Sequence, residues 1–564
     1  MRRPAKGCVR RNSSRSPASN AMRERIQAMR ARPRSTNSVV VAGLAWAWVI
    51  RSLQSWVQIQ HLQKRFLHVT NIAEGRQAPA KRATNRTARR HRARHAIAFH
   101  VKGYEMGNLD IAVVAIYLVA VTGIGLFFAR SIRTEEDYIV AGRRMGPLWL
   151  TISAFASWTG LAGLFGTPEM VVRYGIAGTW WWFTFPIGLL LMGIFLARIV
   201  RQRMHVTTPD IVAQDYPGSV RVAASLVTSW NYLAWAAAQV FGISMVFTLF
   251  SGMDPKTGAI VAFLVVIVYT MLGGFLAVVA TDVLQAVIFL IVIGVVAPLF
   301  VIFGPGVPHI YEATKDIPGF YHLFANVPPA TLFVWFLLLP AGFIDTIGFQ
   351  RVFSANSPET ARKGLVYGFV IMAVFGIILT FLGVAARALL PAGANPVNAM
   401  PDLMVQLLPH GIIGVLVAAF LAVAMSTAST TLLITATTLQ RDVISRLRPD
   451  ASDKERLWTS RILLLVLGLV ALVVALSVPG IVTILMLGFS VYVPGLLLPV
   501  LSATFGWRIP SWSMLATIVI GAGSTAILVL MGEPGGIPAS LVGFILSVVP
   551  FVAGLATRSQ RQPA

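Results

Sequence analysis

Thr151-Ile-Ser-Ala-Phe-Ala-Ser-Trp-Thr-Gly160-Leu-Ala-Gly-Leu-Phe-Gly166-Thr-Pro168-Glu169 sits in a membrane-length apolar segment, yet three glycines and a proline stand where a plain span would carry Leu and Ile. Glycine and proline weaken regular helix and leave backbone carbonyls unpaired. A second stretch, Leu421-Ala-Val-Ala-Met-Ser426-Thr427-Ala-Ser429-Thr430-Thr431, puts five hydroxyl residues within six positions of another apolar segment. Small residues can serve only to bring helices close, and a single Ser or Thr often bonds back to its own helix. Five hydroxyls together exceed that need. Interrupted helices with polar residues at membrane depth mark transporters, because freed carbonyls and hydroxyls can bind cations.

The composition agrees. Of 564 residues, 56% are hydrophobic and only 12% are Asp, Glu, Lys or Arg, against about 25% charged in a soluble domain; mean hydropathy is +0.72. This excludes a soluble enzyme, a disordered regulator and a secreted disulfide scaffold, and the lone Cys8 can form neither an internal disulfide nor a cysteine metal cluster. The net charge of +25 is unevenly placed: residues 1–105 hold 23 Lys and Arg against 3 acids, and the remainder 24 against 19. The apolar run Val39–Ile50 is too short to span. The 1–105 segment therefore reads as a basic, disordered extension. A phosphate- or lipid-binding tail, a targeting peptide and an over-long reading frame that precedes a native start near Met106 all fit it, and the last fits the topology best.

From Asn108 onward, thirteen apolar segments are expected, near 108–130, 146–171, 175–199, 220–250, 257–280, 282–304, 330–350, 363–388, 410–440, 459–477, 479–504, 510–532 and 537–557. They are long enough to cross about 30 Å of hydrocarbon as helices and lack the alternation of barrel strands. Placing the loop after the first segment inside, and alternating, puts 20 of the 24 core Lys and Arg inside and 4 outside. The positive-inside rule then sets the core's amino terminus outside and its carboxyl terminus, with the tail 558–564, in the cytoplasm. The expected compartment is the cell membrane. A basic extension placed outside conflicts with that rule, which is why a start near Met106 fits best.

No metalloprotease pair, phosphate loop or nucleophile elbow is present, and His205, His309, His322 and His410 are scattered at loops or segment ends. An enzyme is not expected, nor an organic cofactor, nor nucleic-acid binding by the core. Four stretches do carry a pattern: Glu136-Asp-Tyr-Ile-Val-Ala-Gly142-Arg143; Gly273-Gly274-Phe-Leu-Ala-Val-Val-Ala-Thr281-Asp282-Val-Leu-Gln285; Gln350-Arg351-Val-Phe-Ser-Ala-Asn-Ser357-Pro-Glu-Thr-Ala-Arg362-Lys-Gly364; and the Met425-Ser426-Thr427 stretch. In this order, across residues 107–557, they resemble the sodium/solute symporter family.

The resemblance implies an all-α integral membrane protein with the five-plus-five inverted repeat of leucine-type transporters. Repeat one would cover about 146–304 and repeat two about 330–504, inside a transporter domain of 106–557 with one extra helix before and two after. It also implies a sodium site made by the carbonyls of Ala156, Thr159 and Val423 and the hydroxyls of Ser426 and Thr427, with Asp282 on the sodium exit route. Ala156 and Thr159 are three apart and share one helix face.

In the family's sugar carriers polar residues line the substrate site. Here the matching positions hold Ala162, Gly163, Leu338, Ala341 and Gly342, which favours an amino acid or carboxylate over a sugar. Trp158, with Trp180, Trp181 and Trp182, could line a pocket, although interfacial anchoring suits the last three equally. Asp345, beside Thr346, is an intramembrane acid; it could meet a substrate amine or a proton, or pair with Arg351 or Arg173. The expected activity is sodium-coupled symport by alternating access, with proton coupling and a transporter-like sensor as alternatives. The solute, the stoichiometry and the oligomeric state are not legible.

Overall fold

The structure is a computed structural model that describes residues 106–558, apart from 131–134, 410–411 and Pro479. The basic extension 1–105 and most of the tail lie outside the described residues. Helices α1 (Asn108–Ala129), α2 (Pro147–Trp158), α3 (Leu161–Tyr174), α4 (Trp180–Leu191), α5 (Gly218–Ser251) and α6 (Pro255–Ile291) form the first part of the chain. They are followed by α7 (Leu338–Phe343), α8 (Thr346–Ser354), α9 (Pro358–Leu389), α10 (Ala399–Leu407), α11 (Ile413–Leu439), α12 (Asp453–Ser477), α13 (Ile481–Phe505), α14 (Ser511–Leu530) and α15 (Ala539–Arg558). No strand forms among the described residues; their one extended pairing is a parallel bridge between Met145 and Ala355.

Among the described residues, eleven helices are long and apolar enough to cross a membrane. The difference from the thirteen expected segments has local causes. The expected span 146–171 is divided by a break at Thr159–Gly160, leaving α2 with only 12 residues. Its second half runs on through Leu161–Gln202. Helix α6, which contains the expected span 257–280, kinks at Gly274. There φ is +54° and ψ −163°, and a Cβ would lie 2.5 Å from the Tyr138 ring. A side chain would be strained by the backbone and blocked by the ring.

The centre is α11. In its span 94% of the apolar window is buried, against 22% for the peripheral α1. Helices α5, α6 and α12 pack around α11, α13 packs on α5, and α14 and α15 pack on each other. Two interrupted helices reach this core. The first breaks between α2 and α3, where Thr159 has ψ 81° and Gly160 ψ 168°. The second breaks between α7 and α8, where Asp345 is extended at φ −61°, ψ 128°.

Candidate ion and solute sites at the helix breaks

The backbone at the first break makes opposite poles meet. The carbonyl end of α2 favours cations and the amide end of α3 favours anions. Gln239 from α5 fills the gap, its Oε1 accepting from Leu161 N at 2.9 Å. Against the carbonyl end lies α11. Ser426 Oγ donates to Ala156 O at 3.0 Å and to Val423 O at 2.9 Å, and Thr427 Oγ1 donates to Val423 O at 3.2 Å. Ala156, Val423, Ser426 and Thr427 thus form one buried cluster of neutral oxygens. Thr159 is buried one turn from Ala156, and its Oγ1 has no hydrogen-bond partner. Hard, uncharged oxygens of this kind suit a small alkali ion. Among the described residues no group of three or more His, Cys, Asp or Glu could hold a metal ion.

Behind the cluster, Asp282 is fully buried in α6. Its Oδ2 accepts from Ser153 Oγ at 2.7 Å and Ser157 Oγ at 2.9 Å and lies 3.3 Å from Arg351 Nη2. Arg351 therefore does not pair directly with Asp345, and Arg173 pairs with Glu169 at 2.9 Å. Both arginine partners considered for Asp345 are corrected, because α8 carries the Arg351 head group away from its own N-terminus.

Asp345 caps α8. Oδ2 accepts from Gly348 N at 2.6 Å and from Trp158 Nε1 at 2.8 Å, and Oδ1 accepts from Tyr232 OH at 2.5 Å. The Trp158 bond joins the two breaks directly. Thr346 N donates to Tyr232 OH at 2.6 Å, and the Thr346 hydroxyl is taken by Thr208 and Tyr492. Asp345 and Thr346 are thus committed to the second break and do not face the cavity.

That cavity has a free volume of about 50 Å³, room for about three or four waters. Trp158, Ala162, Gly163, Trp181 and Trp182 line it, as the sequence suggested, and so does Leu338. Ala341 and Gly342 do not: Gly342 lies where α7 crosses α4, a Cβ there falling against the backbone at Phe185 and Gly188. The lining that sequence reasoning missed is Phe185, Trp235, Met372, Leu485 and Phe489, with Gly160 and Pro186; apolar residues inside apolar helices carry no local signal. Trp181 and Trp182 are pocket residues, donating to Ala162 O and Met372 O. Trp180 instead stacks on Phe324 and is not among the lining residues.

A cluster of charged groups ties together the segments around Arg143 and Arg221. Arg143 pairs with Glu136 at 2.7 Å and donates to the carbonyls of His205 and Phe353. Arg201 donates to Ala355 O at 2.7 Å. Arg221 joins Asp210 and Asp442, and Thr207 Oγ1 donates to Asp442 at 2.8 Å. Burial would raise Asp210, but Arg441 and Arg221 hold its carboxyl below the ordinary value. Burial pushes His205 below its ordinary value, against the pull of Asp210.

A model of the sodium:solute symporter family matches residues 138–532. The osmoregulated proline transporter of Bacillus subtilis (strain 168) is 26% identical over 458 residues, covering 77% of this chain and 92% of that protein. The sodium/proline symporter of Escherichia coli (strain K12) is 28% identical over 478 residues, covering 79% and 93%. The high affinity choline transporter 1 of Homo sapiens is 28% identical over 410 residues, covering 67% and 68%. Among solved structures, a Na+-coupled sialic acid symporter in a substrate-bound outward-open state has a TM-score of 0.68 at 21% identity, covering 81% of this chain and 99% of that one. At that identity the likeness bears on the fold, which is the inverted-repeat fold of leucine-type transporters.

Proposed function

The chain belongs to the sodium:solute symporter family, and from that premise we propose that it is a sodium-coupled symporter of a small amino acid or related zwitterion, working by alternating access. The observation that carries this reading is the oxygen cluster at the first break, where Ser426 reaches Ala156 O at 3.0 Å. Sodium would exchange the hydrogen bonds of the Ser426 and Thr427 hydroxyls for coordination by Ala156, Thr159, Val423, Ser426 and Thr427. Asp282, which accepts from Ser157 beside Ala156, would line its exit. The cavity supports a small solute: aromatic rings suit an apolar or ammonium face, and the amide end of α3 suits a carboxylate. Few side chains there could bond the hydroxyls of a sugar.

The protein is a multi-pass membrane protein, and its family are transporters, not enzymes. We place it in the cell membrane with the core's amino terminus outside and the charged cluster at Arg143 and Arg221 inside. Sodium entering across 100 mV would then contribute about 2.3 kcal/mol per ion. Proteoliposomes loaded by a sodium gradient and offered radiolabelled proline or choline test the reading, with ²²Na+ binding measured on the same protein. The double variant Ser426→Ala, Thr427→Ala is expected to raise the sodium requirement by tenfold or more, since 1.4 kcal/mol is a factor of ten. Unchanged sodium dependence in the variant, or uptake that ignores sodium and collapses with a protonophore, would overturn it.

A further inference from the structure

Helix α1 comes before both interrupted helices and supplies none of the oxygens at the first break. Its buried side chains include Asp110, Val114, Tyr117 and Val121, whose spacing of four, three and four places them on one side of the helix. Helix α1 packs on α6 and α11. Two of the four residues are polar, and each grips a helix beside the sodium cluster. Asp110 fastens α11 at its start. Its Oδ1 accepts from Gly414 N at 2.7 Å, and its Oδ2 accepts from Gly107 N, at the cap of α1, at 3.1 Å. One carboxylate thus meets the positive ends of two helices, where a negative charge is favoured. The backbones touch there, since a Cβ on Gly414 would fall 2.5 Å from Asp110 Cα.

Tyr117, two turns further along the same face, touches the neighbours of the cluster. Its hydroxyl accepts from Gln285 Nε2 at 3.1 Å and donates to Met425 Sδ at 3.7 Å. Met425 immediately precedes Ser426 on α11, and Gln285 is one turn beyond Asp282 on α6. Asp282 in turn accepts from Ser157, the neighbour of Ala156, at 2.9 Å. The hydroxyl therefore links α11 to the helix that holds α2. Gln285 Oε1 is buried without a hydrogen-bond partner, so the bond to Tyr117 orients that amide.

An ion site works only while its oxygens stay within about 0.5 Å of the right geometry, and groups outside the ligand set hold them there. The Ser426–Ala156 bond is the one that sodium would replace, so it cannot keep α11 at its distance from α2. Bonds that sodium leaves in place must do so. Ser157 with Thr430, at 3.0 Å, is one. The Tyr117 junction is another, and it comes from a helix outside the site.

We propose that α1 braces the sodium site from outside, with Tyr117 as its positioning residue: the hydroxyl sets the spacing of α6 and α11 and, through it, the affinity for sodium. The proposal rests on the sodium reading of the Ala156–Ser426 cluster. Tyr117 acts through Gln285 and Met425 and touches neither ion nor solute.

The test is saturation binding of ²²Na+ to the purified full chain in detergent, with thermal unfolding of the same preparation in the absence of sodium. Tyr117→Phe keeps the ring and removes the hydroxyl. The sodium concentration for half-saturation should rise about tenfold, the size typical of losing an outer partner of a metal site, with the number of ions per chain unchanged. A second variant separates positioning from mere stability. Tyr117→Phe, Gln285→Leu leaves no amide stranded, and removing both partners of a buried bond can be nearly neutral for stability. This double variant should unfold near the wild-type temperature and still bind sodium about tenfold more weakly. Wild-type half-saturation in Tyr117→Phe, or sodium affinity that recovers together with stability in the double variant, would overturn the proposal. Should Tyr117→Phe not purify as a single species, the double variant is compared with wild type directly, and equal affinity refutes the brace. Failure of the underlying reading is seen separately, as no wild-type sodium binding or as binding that Ser426→Ala, Thr427→Ala leaves intact.

Discussion

Replacing Asp345 distinguishes a helix cap from a proton carrier. In the structure its carboxylate receives three donors, Gly348 N at 2.6 Å, Trp158 Nε1 at 2.8 Å and Tyr232 OH at 2.5 Å, in a site that is 1% exposed. Asp345→Ala would strand all three. A buried donor left unmade costs about 1–3 kcal/mol, so the loss is on the order of 3–9 kcal/mol before relaxation. Asp345→Asn keeps the shape and one acceptor oxygen but turns an NH₂ toward donors. It should cost about 2–4 kcal/mol, one to two charge-assisted bonds. Tyr232→Phe removes one of the three donors and also leaves Thr346 N, which donates to that hydroxyl, without its acceptor. Because the two groups share one network, the effects of Asp345→Asn and Tyr232→Phe should combine by less than their sum. Thermal unfolding in one detergent, without sodium, should therefore rank wild type above Asp345→Asn and Asp345→Asn above Asp345→Ala. Sodium-driven uptake by Asp345→Asn should stay insensitive to a protonophore. Wild-type stability in Asp345→Asn, together with loss of a pH-dependent uptake step, would show that the carboxyl titrates during transport and that the capping argument is wrong.

Two further outcomes follow from particular contacts. Gly163→Ala places a methyl 2.5 Å from the Trp182 ring, on the cavity wall; the expected result is a KM for solute at least tenfold higher with ²²Na+ binding retained, checked by uptake and binding on the same preparation. His205 has a folded pKa below its ordinary 6.5 because it is buried, so the unfolded chain takes up its proton first as pH falls. The stability this group contributes is present above that ordinary value and is lost as pH drops through it. The difference in thermal stability between wild type and His205→Gln should therefore shrink or reverse from pH 7.5 to 5.5, and a pH-independent difference would refute the assignment.

What the sequence disclosed, and what it withheld, divides along the line between local and distant causes. The break at Thr159–Gly160 is legible because glycine and proline act on the backbone where they stand, and the hydroxyl run of α11 is legible because so many polar groups cannot hide in one apolar helix. Asp345 was legible as an intramembrane acid but not as a cap. The missed signal was local too: an Asp before Thr-Ile-Gly-Phe has the form of a helix N-terminus. The cavity side chains on α5, α9 and α13 were not legible, since Trp235, Met372 and Phe489 look like any other lipid-depth residues. Arg351 shows the difficulty most plainly. In sequence its nearest intramembrane acid is Asp345, six positions away, whereas its ion-pair partner, Asp282, is 69 positions away.

The two breaks depend on each other physically. An interrupted helix in hydrocarbon is stable only if its freed groups find partners, and here neither break is satisfied from its own helix alone. Gln239 of α5 takes an amide of α3, Ser426 of α11 takes the α2 carbonyl of Ala156, and Trp158, the last residue of α2, donates across to Asp345 at the start of α8. A movement that opens one break therefore loads the other through a single indole. Any ion that replaces the Ser426–Ala156 bond acts on the same residue pair, Ala156 and Trp158, two positions apart on α2. That is a short mechanical route from a cation at the first break to the cap of the second. It requires the Trp158 Nε1 bond, since a phenylalanine there would fill the space and carry no proton to donate.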